Sequence, residues 1–481
     1  LIADTGAIIT ASGVWEQLSA GNITDVSPAV GQAGTVVTIS GTNILGGGTS
    51  ATSVSLAGLP ATIVGTPTDT QVVVRANPGP DTRGNAVGDI SIVGDNGVTV
   101  RKLNGWTYSV VDSVSPQFGQ GGTRVTIDGI GLLAGGTNAS RVLFGTVAAS
   151  SVESATASRV VARVGANTNV VSTNVTVTIE SDNGQVVESI AGADDGLVVN
   201  FEYKVPGSID SVEPTQGQVN TSVTIRGTQL SGYGQSIVQV RLAGVTADIV
   251  SQNSSVVVVQ AGVSGATGAG SVELVADTGA LVSASSSWQY VAAAVIDSVT
   301  PSSGQAGTRV TIAGSSLLSG DTTLSDVTLA GVSVRSVLSA SNTQVVVVAE
   351  ASGGAATGDV VVRAANGAFV RLALGFNYTE PGAVSSVTPA SGHAGTLVEI
   401  AGERLLGAGA SLDSVTLAGV EVARIVSEND TLVVVEAAAS TAGTGDVVLT
   451  ADTGAEVISS NGFTYVAPGV IDRVVPASGQ F

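Results

Sequence analysis

The stretch that decides the fold reads Ile296-Asp-Ser-Val-Thr-Pro-Ser-Ser-Gly-Gln-Ala-Gly-Thr-Arg-Val-Thr-Ile-Ala-Gly314. Its opening, an Ile or Val followed three residues later by Val and five residues later by Pro, occurs six times in the chain of 481 residues. The prolines lie 88, 98, 87, 88 and 87 residues apart, at Pro28, Pro116, Pro214, Pro301, Pro389 and Pro476. A period of this size is that of one small domain, so the chain is predicted to contain five complete repeats.

The pattern inside each repeat is that of short strands. In the quoted stretch, Val310 and Ile312 point to one face and Thr311 to the other, because side chains alternate along a strand. Later segments include Val-rich strands and a strand-turn-strand unit such as Val275-Ala-Asp-Thr-Gly279, which predicts a hairpin. About seven strands per repeat without helical periodicity predict an all-β chain, a tandem array of immunoglobulin-like antiparallel β-sandwiches.

Each repeat closes on two aromatic residues spaced by two, so both rings should face the same side of the last strand. No Cys pair joins the sheets, since the chain has no Cys, and these rings are predicted to anchor the cores together with Val, Ile and Leu. The predicted core aromatics are Trp106, Tyr108, Phe201, Tyr203, Trp288, Tyr290, Phe376, Tyr378, Phe463 and Tyr465.

The repeats give the domain boundaries. Repeats 1 to 5 are predicted at residues 23–110, 111–208, 209–295, 296–383 and 384–470. Leu1-Ile-Ala-Asp-Thr-Gly6 matches Leu274-Val-Ala-Asp-Thr-Gly279, so residues 1–22 are expected to be the end of a preceding repeat. Residues 471–481 are expected to be the first strand of a following one. We therefore expect the array to continue on both sides.

Composition excludes most chemistry. Cys and Met are absent, His393 is the single His, and Lys occurs only at Lys102 and Lys204. Thiol catalysis, disulfides and Cys-ligated metals are thereby excluded, and no enzyme activity, catalytic residue or cofactor is predicted. The formal net charge of -20 opposes binding to nucleic acid.

The surface is short of charge. Charged residues make up 12% of the chain and the mean hydropathy is +0.42. No apolar run is long enough to span a membrane as a helix. Either neighbouring chains or glycans cover much of the surface, or Ala, Gly and Val in short strands raise the hydropathy. Few Lys or Pro residues interrupt the strands, so the sheet edges are expected to be open to pairing.

Polar residues that could form sites are mostly explained by turns. His393 stands where sister repeats have Gln and is interpreted as a turn residue. Acidic residues could be calcium ligands, but they are spread one per repeat, whereas calcium needs six to eight oxygens, so no metal site is predicted. These acids are, in the hairpins, Asp95, Asp182, Asp277 and Asp452, with Asn366 in the fourth repeat, and, in the linkers, Asp112, Asp210, Asp297 and Asp472.

Seven Asn-x-Ser/Thr sequences are candidate N-glycosylation sites, and each could equally be a turn residue. They begin at Asn22, Asn138, Asn174, Asn220, Asn253, Asn377 and Asn429. Because the surface has little charge, we expect some glycan, N-linked or on Ser and Thr.

The repeat resembles a known family. The opening Ile296-Asp-Ser-Val-Thr-Pro-Ser-Ser-Gly304, the strand from Gly307 to Gly314 and the closing Phe/Trp-x-Tyr are similar to the IPT/TIG domain of plexins, Rel-type transcription factors and many microbial or algal surface proteins. This resemblance covers essentially the whole chain. It implies an immunoglobulin-like fold, and a function as a DNA-binding domain, a spacer or a protein-binding module.

The acidic charge disfavours the DNA-binding use. Short linkers between repeats predict a semi-rigid rod. The leading hypothesis is a structural subunit of an extracellular filament or cell-surface appendage, whose partners are copies of itself or other surface proteins and possibly glycans. The alternative is the stalk of a large surface adhesin or receptor that presents a distal binding domain.

Overall fold

The computed structural model describes residues 4–8, 10, 16–79, 86–167, 172–189, 199–475 and 478–479. None of these residues forms a helix, so these ranges contain no candidate for a membrane-spanning helix. The chain forms five β-sandwiches in a row, one for each predicted repeat. The all-β prediction is confirmed.

The terminal segments are only partly described. Residues 1–3, 9 and 11–15 lie outside the described residues, as do 476, 477, 480 and 481. Residues 471–475 form no strand, and Ile471 is exposed. The assignments of 1–22 and 471–481 to neighbouring repeats therefore stay predictions.

The strands are two to ten residues long. Repeat 1 contains β1 (Asn22–Ser27), β2 (Val30–Gly31), β3 (Val36–Thr42), β4 (Ala51–Leu56), β5 (Leu59–Ile63), β6 (Gln71–Ala76), β7 (Val87–Gly94) and β8 (Thr99–Tyr108). Repeat 2 contains β9 (Val110–Ser115), β10 (Phe118–Gly119), β11 (Arg124–Ile130), β12 (Ala139–Phe144), β13 (Val147–Ala148), β14 (Ser151–Ala155), β15 (Arg159–Arg163), β16 (Thr173–Val175), β17 (Val177–Ser181), β18 (Val186–Glu188) and β19 (Phe201–Tyr203).

The later repeats follow the same order. Repeat 3 contains β20 (Ser208–Glu213), β21 (Gln216–Gly217), β22 (Ser222–Thr228), β23 (Ile237–Leu242), β24 (Val245–Gln252), β25 (Val256–Gln260), β26 (Gly268–Ala276) and β27 (Leu281–Tyr290). Repeat 4 contains β28 (Val295–Thr300), β29 (Ser303–Gly304), β30 (Arg309–Ser315), β31 (Leu324–Leu329), β32 (Val332–Ser333), β33 (Ser336–Ala340), β34 (Gln344–Val348), β35 (Ala356–Ala364) and β36 (Phe369–Tyr378). Repeat 5 contains β37 (Ala383–Thr388), β38 (Ser391–Gly392), β39 (Leu397–Glu403), β40 (Leu412–Leu417), β41 (Val420–Glu421), β42 (Arg424–Glu428), β43 (Leu432–Glu436), β44 (Gly443–Ala451) and β45 (Glu456–Tyr465).

Repeat 4 shows the common topology. Its first sheet has the strand order β28-β30-β34-β33, and its second has β29-β36-β35-β31-β32. One pairing differs from the predicted antiparallel pattern, because β29 runs parallel to the last strand, with Ser303 opposite Asn377 and Gly304 opposite Tyr378. The reason is that the chain crosses from the first sheet to the second after the opening proline. In repeats 1 and 3 one strand, β5 or β24, pairs in both sheets and joins them.

Each sandwich has its own hydrophobic core. Val310 and Ile312 are fully buried while Thr311 between them is not, which is the predicted alternation. The closing aromatics are at most 2% exposed in all five repeats. Within each pair the rings meet edge to face, with centroids 5.0 to 5.7 Å apart, a geometry worth about 0.5 to 1.5 kcal/mol beyond the buried area.

The edges of the first sheet are irregular, while the expectation that the sheet edges are open to pairing stays a prediction. The opening strand of each repeat carries a β-bulge, and the bulged residues are Thr24, Asp112, Asp210, Asp297 and Ser385. The strand on the opposite side of the first sheet is bulged in repeats 2 to 5, at Glu153, Val250, Leu338 and Val426. In repeat 3 this strand is β24, which continues into the second sheet. A bulge twists the strand and interrupts the row of backbone groups that another chain would pair with.

Candidate functional site at the joints between repeats

The turn after the opening proline has the same geometry in every repeat. In repeat 4, Gln305 N–H donates to Thr308 Oγ1 at 3.1 Å, and Thr308 N–H donates back to Gln305 O at 3.2 Å. Gly307, in the left-handed region at φ +86°, donates to Ala349 O at 3.0 Å. The residues at the Gln305 position are Gln32, Gln120, Gln218 and His393. We call this segment, residues 305–308 in repeat 4 and the equivalent residues elsewhere, the joint turn.

The linker leaves each sandwich across its joint turn. The residue after the closing Tyr donates its N–H to the carbonyl of the Gly that precedes the Gln or His. These bonds are 2.8 Å for Ser109 to Gly31, 2.7 Å for Lys204 to Gly119, 2.9 Å for Val291 to Gly217, 2.9 Å for Thr379 to Gly304 and 2.9 Å for Val466 to Gly392. All five linkers therefore start from the same anchor.

The side chain of the joint glutamine binds both the linker and the next repeat. Gln305 Oε1 accepts the N–H of Gly382 in the linker at 2.7 Å, and its Nε2 donates to Glu456 O of repeat 5 at 2.9 Å. Gln120 does the same with Gly207 at 2.7 Å and Leu281 O of repeat 3 at 2.7 Å. These two side chains are 3% and 1% exposed, so the joint excludes water from them.

The joint between repeats 3 and 4 is a variant of this arrangement. Gln218 Oε1 accepts from Ala294 N–H of the linker, but its Nε2 donates to Ser319 Oγ of repeat 4 at 2.9 Å instead of to a carbonyl. Gln218 is as buried as the others, at 3% exposure. The amide thus keeps one linker contact and one contact to the next repeat.

Backbone contacts close these joints further. Arg309 N–H donates to Thr453 O at 2.9 Å, and Glu456 N–H donates to Ala306 O at 3.0 Å. The corresponding first bond is present from Arg124 to Thr278, at 2.7 Å, and from Ser222 to Asn366, at 2.9 Å. The joint turn of one repeat therefore lies against the turn of the last hairpin of the next repeat.

Two glycines face each other across the joint between repeats 4 and 5. A Cβ atom on Gly307 would lie 2.6 Å from Gly454 O, and one on Gly454 would lie 3.0 Å from Gly307 O. Gly122 makes a similar approach to Gly279 O, at 3.0 Å. Only glycine fits here, because any side chain would both clash and strain a left-handed backbone.

The joint between repeats 1 and 2 has the same glutamine and different partners. Gln32 Nε2 donates to Ser109 O of the linker at 3.1 Å and to Glu188 O of repeat 2 at 3.1 Å. Glu188 N–H donates back to Gln32 Oε1 at 2.9 Å. Gln32 is half-buried, in contrast to the three later joint glutamines.

His393 lies in the fifth joint turn and is exposed. Its N–H donates to Thr396 Oγ1 at 3.1 Å, as in the other repeats, and its Nδ1 lies 2.9 Å from Ala394 O. Sequence reasoning placed it in a turn but missed the role of that position in joining repeats. The signal that could have found it is the amide that recurs at the same position in four repeats.

The hairpin acids hold loops within their own repeats. Asp95 Oδ1 and Oδ2 accept from Thr49 N–H at 3.0 Å and Thr49 Oγ1 at 2.6 Å, and these bonds hold the pKa of Asp95 below its usual value. Asp182 bonds Thr137 in the same way, and the Thr137 hydroxyl lowers its pKa. Asp277 and Asp452 also accept loop N–H groups. Asn366 lies one position further along its hairpin and donates to Ser319 O at 3.1 Å.

The linker acids do not gather into a metal site in the described part of the chain. Asp112, Asp210 and Asp297 are residues of the first-strand bulges, each in a different repeat. Asp472 follows the last described sandwich. Within the described ranges, no group of three or more His, Cys, Asp or Glu side chains is placed to hold an ion.

The candidate glycosylation residues fall into two groups. Asn22, Asn138, Asn174, Asn253 and Asn429 are exposed, whereas Asn220 and Asn377 are half-buried. Asn253 and Asn429 each accept two backbone N–H bonds from the residues two and three positions later, which is turn chemistry. Asn377 accepts a bond from Thr357 Oγ1 at 2.7 Å.

Comparison with solved structures finds other tandem domains. The chain is 14% identical to the plexin A4 full extracellular region, covering 93% of this chain and 50% of that one with a TM-score of 0.35. It is 15% identical to the surface glycan-binding protein SGBP-B of Bacteroides ovatus, covering 50% and 61% with a TM-score of 0.17. It is 10% identical to the I9–I11 tandem from titin, covering 52% of this chain and 93% of that one with a TM-score of 0.19. The chain thus spans about half the length of the plexin region.

No curated protein sequence matches the chain. The family model of the IPT/TIG domain matches it five times, at residues 22–105, 109–190, 208–290, 294–378 and 383–466. These five ranges take up most of the 481 residues, and each falls on one of the sandwiches described above. The chain therefore belongs to the IPT/TIG domain family, as a tandem array of five such domains.

Proposed function

We propose that this array is a semi-rigid spacer of an extracellular surface structure, a stalk that holds other parts of a longer protein at a distance. The observation that carries the proposal is the joint glutamine, which ties the linker and the next repeat together at four successive joints. No catalytic reaction is part of this proposal.

The contacts at each joint support stiffness. A linker with only its anchor bond would let two sandwiches rotate freely. In the joint between repeats 4 and 5, two side-chain bonds and two backbone bonds act from different directions, and the ion pair of Arg335 with Glu456 at 2.9 Å adds a fifth contact. A sandwich of this size is roughly 30 Å across, so five in line make a rod on the order of 150 Å.

The bulged edges favour a stalk over a filament built by edge pairing. Both outer strands of the first sheet are bulged in repeats 2, 4 and 5, and in repeat 3 the opening strand and β24 are bulged. The second sheet of repeat 4 ends in the two-residue strands β29 and β32. Short and bulged edge strands are the features that keep soluble β proteins from pairing with copies of themselves.

The filament subunit remains the second candidate, and a separate observation supports it. Three bulged residues on the same edge of successive repeats are apolar and exposed: Val250 at 61%, Leu338 at 52% and Val426 at 45%. Together with a charged fraction of only 12%, they offer apolar contacts to a neighbouring array without edge pairing.

A role in holding glycans has less support in the side chains. The apolar faces of sugar rings usually pack on exposed aromatic rings, and the one clearly exposed aromatic side chain in the described ranges is Phe118, at 45%. The extracellular location is part of the proposal and rests on the use of IPT/TIG domains in surface proteins, as the resemblance implies. Attached glycan stays a prediction for the exposed Asn residues.

Two measurements on the purified chain test the proposal. Small-angle X-ray scattering should give a maximum dimension near the rod length, and replacing Gln120, Gln218 and Gln305 together by Ala should shorten it. A wild-type profile as flexible as that of the triple variant would contradict the rod. Light scattering should then find a monomer at high concentration for a stalk, whereas mass that rises with concentration would support the filament.

A further inference from the structure

In the joint between repeats 1 and 2 the glutamine binds the last hairpin of the next repeat in a different register from the joints between repeats 2 and 3 and between repeats 4 and 5. The last hairpins of repeats 2 and 3 can be aligned on their turns, because Ser181 and Ala276 make the same hydrogen bond there. Val186 then corresponds to Leu281, and Glu188 corresponds to Ser283. Gln120 binds Leu281 O, whereas Gln32 binds Glu188. Repeat 2 is thus docked two residues further along the second strand of its last hairpin, β18, than repeat 3 is along the corresponding strand β27.

A shift of two residues is the smallest that a strand allows here. Backbone N–H and C=O groups on one edge of a strand point the same way at every second residue. A shift by one residue would present groups that point into the sheet, while a shift by two presents an equivalent pair about 7 Å away. Glu188 offers both its N–H and its C=O to Gln32, which identifies this position as an outer-edge one.

Packing around Val30 agrees with the shifted register. A Cβ atom on Gly131 of repeat 2 would lie 2.8 Å from Val30 Cγ2, and one on Gly135 would lie 3.4 Å from Val30 Cγ1. In the joint between repeats 2 and 3, the corresponding loop instead meets the glutamine itself, since Gly232 has Gln120 Cδ 3.3 Å from its Cβ position. The loop and the strand of repeat 2 are therefore displaced together.

The linkers differ in the same way as the registers. Two residues, Ser109 and Val110, separate Tyr108 from the opening Val111, whereas five residues separate the corresponding pair in the other three joints. In the five-residue linkers, the N–H that binds the glutamine Oε1 belongs to the fourth residue after the closing Tyr. The fourth residue after Tyr108 is Asp112, which already lies in β9. Gln32 Oε1 is then left for the N–H of Glu188.

We propose that linker length selects the docking register between successive repeats, so that the two-residue linker builds one offset joint into the array. This inference rests on the proposed spacer function, because an offset matters only if the joints stay closed. The offset shifts repeat 2 by about 7 Å along this strand relative to the placement in the five-residue joints.

The test inserts Val-Pro-Gly between Ser109 and Val110, which copies the linker Lys204-Val-Pro-Gly-Ser208. The inserted Gly is the fourth residue after Tyr108, so its N–H should donate to Gln32 Oε1. Gln32 Nε2 should then donate to Val186 O instead of Glu188 O. Hydrogen exchange, read residue by residue by NMR, should show Glu188 N–H losing protection by at least about tenfold while the inserted Gly gains it. The reverse variant deletes Val205–Gly207, and Ser283 N–H should become protected.

The control carries the same insertion after Gly265, a loop position with open space around it, and should leave Glu188 unchanged. If Glu188 stays protected after the linker insertion, or if neither it nor the inserted Gly is protected, linker length does not select the register. Failure of the spacer function is distinguishable, because it would show as a flexible scattering profile in the wild-type chain.

Discussion

Replacing Gln305 by Ala should open the joint between repeats 4 and 5 without unfolding either sandwich. The side chain is 3% exposed, and its amide satisfies the N–H of Gly382 and the C=O of Glu456. Truncation leaves one donor and one acceptor without partners, at about 1 to 3 kcal/mol each. Water can reach the half-buried linker and offsets part of this, so we expect the joint to weaken by about 2 to 4 kcal/mol.

The assay is native-state hydrogen exchange at Gly382, whose N–H is held by the side chain that is removed. A loss of this size corresponds to exchange about 30 to 700 times faster, since each 1.4 kcal/mol is a factor of ten. Core amides at Val345 and Val433 should keep their wild-type rates, because these residues lie in sandwiches that remain folded. Gln344→Ala, at an exposed position of the same repeat, is the matched control.

An unchanged rate at Gly382 would refute the role of the amide, and equal loss of protection at Gly382 and in both cores would show that the joint does not open separately. Gln305→His carries the comparison further, because it copies the residue of the fifth joint turn. Its effect on Gly382 would show how well an imidazole replaces the amide that both donates and accepts.

Other predictions concern the cores, the glycines and the acids. Trp288→Ala or Tyr290→Ala should cost repeat 3 about 3 to 5 kcal/mol, with hydrogen exchange raised mainly there and in its neighbours, and uniform loss along the chain would contradict independent cores. Gly307→Ala and Gly395→Ala should both strain a left-handed backbone, at φ +86° and +84°, but only Gly307 has a neighbour within 4 Å. Gly307→Ala should therefore open the joint between repeats 4 and 5 more than Gly395→Ala weakens repeat 5. Equal effects of the two variants on thermal unfolding and on Gly382 exchange would count against the close approach. Because the pKa of Asp182 is lowered, its carboxylate stabilises the folded loop at pH above the ordinary value of 3.8, and this stabilisation is lost as the pH falls through the folded-state pKa. Acid should therefore release the Thr137 loop in the wild type, seen as a change in the Thr137 amide shift. In Asp182→Asn the same acidification should change this shift little. Burial raises the pKa of Tyr203 to about 12, so this phenol should ionise last in an ultraviolet titration. Ionisation of Tyr203 near the ordinary tyrosine pKa of 10.0 would contradict the buried position.

The fold was predictable because its signals are local and repeated. Val310, Thr311 and Ile312 alternate within three residues, and the closing pair Phe376 and Tyr378 lies on one face of one strand. Neither signal depends on knowing which strands are neighbours. Five repeats of the same pattern then fix the domain period.

The joints were not predictable in the same way. Gln305 lies 77 residues from Gly382 and 151 from Glu456, so their contact appears only after two sandwiches have formed and docked. A glutamine in a Gly-rich turn is also fully compatible with a turn alone. The bulges were not predicted for a related reason. A bulge is a mismatch in register between two strands, and the residue types at Val250 and Leu338 do not distinguish them from other strand residues.

The unequal linkers also determine how the array would respond to tension. A pull on the two ends would break the few hydrogen bonds of a joint before the many of a sandwich. An opened five-residue linker can extend to about 17 Å, whereas the two residues after Tyr108 reach only about 7 Å. Stretched in an optical trap, the three later joints should release slack in small steps at low force, while the joint between repeats 1 and 2 yields almost none. Under tension, such an array would therefore extend at the joints that follow repeat 2 and hardly at the joint that precedes it.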